Sequence, residues 1–94
     1  MFVIDLEYTA SLDVIDQLLP DHQAHLRQGH VDGVFLSWGR KQPRTGGVIL
    51  AVGAREEVER RAMEDPFVRE GACTVTVTEM IPTFTAPGLE ALAA

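Results

Sequence analysis

An α+β fold, a four-stranded antiparallel sheet with two helices on one face, is what this 94-residue chain predicts, on three observations. Residues 2–9 alternate apolar and polar side chains with the period of a strand, and residues after Ser11 repeat apolar side chains at steps of three and four. Two further apolar runs joined by a Pro- and Gly-containing loop are followed by a second charged helical run and a last strand. The resulting β-α-β-β-α-β order, in about ninety residues, is that of the ferredoxin-like split βαβ arrangement.

The first strand places Phe2, Ile4, Leu6 and Tyr8 on one face and Val3, Asp5, Glu7 and Thr9 on the other. Ser11 is a good helix N-cap, and Leu12, Ile15, Leu19, His22 and Leu26 form the buried stripe of the helix it opens. Pro20 lacks an amide proton and is expected to break or kink that helix, giving a short helix to about Leu19 and a longer one onward, while Gly33 ends it. Val34 to Trp38 reads as the second strand, residues 39–47 (GRKQPRTGG) as a hairpin loop and Val48 to Val52 as the third strand. Residues 55–64 form the second helix, with Glu56–Arg60 and Glu57–Arg61 pairs at i,i+4 on its wet side and Ala54, Val58 and Ala62 on its dry side. Residues 73–81 form the last strand, with Val75, Val77 and Ile81 facing one way and Thr74, Thr76 and Thr78 the other. Residues 1–82 are thus expected to be one domain and residues 83–94 a C-terminal tail.

A net charge of −6 argues against nucleic acid and anionic membranes as partners, because phosphates need a basic face. The one basic cluster, Arg40-Lys41-Gln42-Pro43-Arg44, reads either as a solvated turn or as a local anion site. An RNA-recognition module shares the element order but needs aromatics on the first and third strands and a basic sheet, and the third strand has no aromatic. The single cysteine, Cys73, rules out an internal disulfide and reads as a small buried thiol. The opening MFVIDLEY carries acids inside its apolar run, unlike a signal peptide or a membrane span, so a cytoplasmic protein is expected.

Three histidines, His22, His25 and His30, fall on the first long helix, at spacings of three and five that do not share one face. HxxH without a carboxylate at matching spacing is too weak a pattern to predict a metal, and none is expected. His22 belongs to the buried stripe, where a histidine is either a core residue satisfied by one carbonyl or an acid–base group oriented by a carboxylate. Asp65, in the stretch EDPFVREG, is the candidate carboxylate, because the two helices of this fold lie side by side. Taken alone, Asp before Pro is a helix stop, since proline drives the preceding residue out of the helical region.

Taken together, the opening strand MFVIDLEY, the helix start DHQAHL, Gly33 eleven residues after His22, the PRTGG hairpin and DPFVREG resemble the YciI-like family of the dimeric α+β barrel superfamily. The resemblance covers almost the whole chain. It implies that His22 and Asp65 are a catalytic dyad in a cleft, that no cofactor is needed, and that two sheets face each other in a homodimer. The family includes a dehydrochlorinase acting on a chlorinated hydroxyhydroquinone, and the similar muconolactone isomerases move protons on small lactones. Where relatives usually read A-S-G-P after the second strand, this chain has Ser37-Trp38-Gly39-Arg40, and an aromatic helix position is His25. If that segment lines the pocket, Trp38 narrows it and Arg40 adds a charge.

The reading is therefore a cofactor-independent lyase or isomerase on a small aromatic or lactone-like molecule, with His22 and Asp65 catalytic and Tyr8, Ser37, Trp38 and Arg40 binding substrate. The alternative is a dimeric binding or interaction module without catalysis, in which His22–Asp65 ties two helices together. A pocket reaching the His22 ring favours the first; a sealed histidine favours the second.

Overall fold

A computed structural model describes residues 1–93 of the chain. Its elements run β1 (Phe2–Tyr8), α1 (Leu12–Val31), β2 (Phe35–Arg40), β3 (Gly46–Ala51), α2 (Arg55–Glu64), α3 (Pro66–Arg69) and β4 (Cys73–Glu79), and a short 3-10 turn follows at Glu90–Ala93. The four strands form one antiparallel sheet in the order β2-β3-β1-β4. Strand β1 is paired on both sides, Ile4 with Ile49 of β3 and with Val77 of β4.

The sheet's inner face carries Phe2, Ile4, Leu6, Phe35, Ile49 and Ala51, all buried against Ile15 and Leu26 of α1 and Val58 and Ala62 of α2. Burial of these side chains, at about 1.5–3 kcal/mol for each large one, is the main favourable term holding the helices down. Gly29 is where α1 comes nearest the sheet: a Cβ there would run into the Phe35 ring. Gly33, at φ 78, supplies the left-handed residue that turns the chain out of α1.

Several local expectations are corrected. Pro20 sits inside α1 without dividing it. Its position is exposed, so the carbonyl it leaves unpartnered faces solvent, and Ile15, His22 and Leu26 bury on both sides of it, which holds one helix together. Leu12 and Ala54 are exposed rather than buried, because each is at the fringe of its helix, beyond the edge of the sheet. Arg60 pairs with Glu57 and Glu64, not with Glu56, while Glu57–Arg61 forms as expected at 2.6 Å. Strands β2 and β3 run on into the predicted loop, and β4 stops at Glu79, which leaves Ile81 exposed beyond the sheet. Pro66 does more than end α2: it occupies the first turn of a further short helix, α3.

The outer sheet face has no helix. Val3, Val48 and Leu50 are half-buried on it, Thr74, Thr76 and Thr78 are exposed, and Lys41 crosses it to reach Asp5 at 2.7 Å. Two of the most exposed large apolar side chains, Ile81 and Phe84, follow the last strand.

Candidate functional site

The site begins with a turn. Proline at 66 forces Asp65 out of helical geometry, to φ −56 and ψ 128, so α2 must stop there. The same residue then caps α3: its Oδ1 accepts the Phe67 amide at 2.9 Å. A carboxylate pinned in this way is 1% exposed and has no freedom to swing.

That oxygen accepts a second hydrogen bond, at 2.9 Å, from His22 Nδ1 on the buried stripe of α1. The imidazole lies flat on Phe67, ring centroids 3.9 Å apart and planes 14° from parallel, and Tyr8 meets the edge of Phe67 at 6.0 Å. One residue, Phe67, therefore supplies both the amide that fixes the carboxylate and the ring that fixes the histidine. Arg61 helps to set the distance between the helices, bonding Asp32 at the end of α1 at 2.8 Å. With Nδ1 donating to the carboxylate, the neutral form of the imidazole carries its lone pair on Nε2.

His22 stands on the wall of a cavity of about 270 Å³ between α1 and the β1-β3-β2 end of the sheet. Tyr8, Trp38 and Arg40 line the same cavity, as do Arg44, Gln23 and Phe67. Ser37, expected there, is not among its residues. A β-bulge between Phe35 and Ser37 explains the difference. It puts Trp38 opposite Ile49 and Arg40 opposite Gly47, on the inner face, while Ser37 pairs with Leu50 and lines a shallow depression of about 310 Å³ that Trp38, Arg40, Val48 and Leu50 also border.

Of the polar and aromatic lining residues, sequence reasoning missed three, Gln23, Arg44 and Phe67. Arg44 lies in the basic cluster whose anion-site reading was the signal for it. Phe67 read only as packing, and Gln23 carries no signal beyond its place beside His22.

The YCII-related domain model matches residues 1–81. The chain belongs to that family. Eight chains of solved structures match it. One is the 5-chloro-2-hydroxyhydroquinone dehydrochlorinase of Burkholderia phenoliruptrix AC1100, in complex with 2,5-dihydroxybenzoquinone, at 21% identity and a TM-score of 0.68. The match covers 84% of this chain and 91% of that one, and establishes the fold. No curated protein matches this chain in sequence.

In this YCII-related protein the other two histidines go elsewhere. His25 packs edge-on to Phe35 at 5.7 Å, and His30 sits 6.5 Å from Trp38 with Nδ1 3.4 Å from the Phe35 carbonyl. Among the described residues, no three His, Cys, Asp or Glu side chains gather closely enough to hold a metal, and no helix is long and apolar enough to cross a membrane. Cys73 is buried off the cavity, its thiol pushed up to about 11 by burial first and then by the negative field of Asp65. It is a thiol at neutral pH and a poor nucleophile.

Burial lowers the pKa of His25 below the ordinary histidine value, against the smaller opposing pulls of Asp65, the Arg61 backbone and Glu64, with His22 adding to the lowering. The unfolded chain then binds a proton that folding expels, so this group costs stability as pH falls through the unfolded value near 6.5. Lowering the pH from about 7.5 to about 5.5 should destabilise the wild type more than His25→Phe, in urea unfolding at each pH. Parallel pH profiles for the two would contradict this.

Proposed function

We propose that this YCII-related protein is an enzyme of lyase or isomerase type that works without a cofactor on a small aromatic or lactone-like molecule. The observation that carries the reading is access: an imidazole tied at Nδ1 to a buried carboxylate has its ring on the wall of a cavity large enough for one substituted ring. A histidine serving only as a tie between helices needs no such opening.

In this reading His22 Nε2 takes a proton from an acidic C–H or O–H of the substrate, and Asp65 holds the tautomer and stabilises the imidazolium. In an elimination the electron pair released forms a new double bond while the bond to a leaving group on the neighbouring atom breaks and that group departs with its bonding pair; in an isomerisation the proton returns at another carbon. The named activity of the dehydrochlorinase with this fold is a reaction of the first kind. Trp38 and Phe67 give the ring flat apolar surfaces, and Tyr8 and Arg40 offer polar contacts. Ser37 does not line this cavity; it borders the adjoining depression that shares Trp38 and Arg40.

The proposal includes a homodimer through facing sheets. The uncovered outer face with half-buried Val3, Val48 and Leu50, and the exposed Ile81 and Phe84 beyond it, support two copies closing on each other. Residues 1–82 would be the catalytic domain and residues 83–94 an arm reaching the second copy.

Two experiments test the proposal. Turnover should be found in a screen of chlorinated hydroquinones and small lactones, and His22→Ala and Asp65→Asn should each lower kcat by about 10²–10⁴. Unchanged turnover in both variants sinks the dyad. Sedimentation equilibrium at micromolar concentration should give twice the chain mass, and a monomer would remove the facing-sheet dimer.

A further inference from the structure

The walls of the His22 cavity have a charge opposite to that of the molecule. The chain holds 14 Asp and Glu against 8 Lys and Arg, yet the cavity is lined by two arginines, Arg40 and Arg44, and by no carboxylate. Asp65 stands behind the His22 ring and not on the wall. The basic cluster that supplies these arginines is split by the pleat. Lys41 leaves across the outer face to Asp5, while Arg40, opposite Gly47, and Arg44, at the end of the hairpin, come to the cavity.

The two arginines differ in how they are held. Arg44 bonds Asp16 through one Nη2, which orients the guanidinium and leaves most of its five donors unused. Arg40 has no carboxylate within ion-pairing distance among the described residues. Asp16 offsets part of the Arg44 charge and nothing comparable offsets that of Arg40, so the lining favours anions over neutral molecules and repels cations. A planar guanidinium fork fits a planar oxyanion, and the remaining walls, Leu6, Leu19, Leu26, Ile49 and Phe67, fit a flat apolar ring.

We infer that the ligand of this cavity is a planar ring bearing an oxyanion, a carboxylate or an ionised phenol or enol, with the anionic end at Arg40 and Arg44 and the reacting atom at His22. The inference rests on the same cavity as the proposed chemistry and names its substrate class. Arg40 is then a specificity-determining residue.

Trp38 is the only tryptophan and lines the cavity, so its indole N–H resonance reports occupancy directly. Benzoate and its uncharged isostere benzamide are titrated into the full-length protein, and 4-nitrophenol is titrated below and above its own ionisation. Benzoate should shift the Trp38 signal with a Kd at least about 10-fold below that of benzamide, the difference one charge-assisted hydrogen bond makes. The preference should shrink with added salt. It should fall to near unity in Arg40→Gln and Arg44→Gln and persist in His22→Ala. Ionised 4-nitrophenol binding as benzoate does would extend the class to phenolates; neutral and ionised forms binding alike would restrict it to carboxylates. Equal binding of benzoate and benzamide, or a Trp38 signal that no anion moves at any soluble concentration, overturns the inference. Either result leaves the dyad standing if the His22 and Asp65 variants lose turnover, so the two failures are distinguishable.

Discussion

One oxygen organises this protein's candidate site. Asp65 Oδ1 accepts the Phe67 amide and His22 Nδ1, both at 2.9 Å, and so joins the end of α2, the start of α3 and the middle of α1. The arrangement is poor as a stability device. Burying a carboxylate costs several kcal/mol, and two hydrogen bonds to it return about 1.5–3 kcal/mol each, so the net gain is small. What it provides is position: a carboxylate that cannot rotate, and an imidazole held by it on one edge and by Phe67 on its face. Breaking it on one side would leave a buried charge without its partner, at about 3–5 kcal/mol, which ties the site to the fold.

The same economy extends to the sheet. A single bulge between Phe35 and Ser37 turns two residues three apart, Phe35 and Trp38, to one face. The first closes the core beside Gly29, and the second lines the cavity with Arg40 following it. Without the extra residue Trp38 would point to the outer face and Ser37 inward, and the cavity would lose its indole and one of its cations. Core, bulge and cavity charge are therefore one construction, and a register slip would disturb all three.

Much of this was legible in the sequence because it rests on periodicity and on local steric rules. Strand β1 alternates cleanly and α2 begins and ends where its charges and Pro66 say; stripe position and helix adjacency made Asp65 a candidate partner for His22, and the resemblance to the YciI-like family joined the two. What was not legible depends on tertiary context. Pro20 breaks an isolated helix but not one buried on both sides of the proline. The bulge leaves no mark in composition, so nothing in the sequence separated Ser37, on the outer face, from Trp38 on the inner one. Arg44 needs a three-dimensional cavity to be more than part of a turn, since it arrives from the hairpin and its anchor, Asp16, is 28 positions away. EDPFVREG was ambiguous between punctuation and chemistry because Asp65 serves both: its backbone ends one helix, and its side chain caps the next and holds His22.

The central claim is that the buried carboxylate fixes the histidine's tautomer and leaves Nε2 to the cavity, and nitrogen-15 NMR of the His22 imidazole tests it most directly. Spectra of neutral His22 should show the proton on Nδ1 in the wild type and in no fixed place in Asp65→Ala. A proton on Nε2 in the wild type, or a tautomer indifferent to the loss of Asp65, would contradict the account.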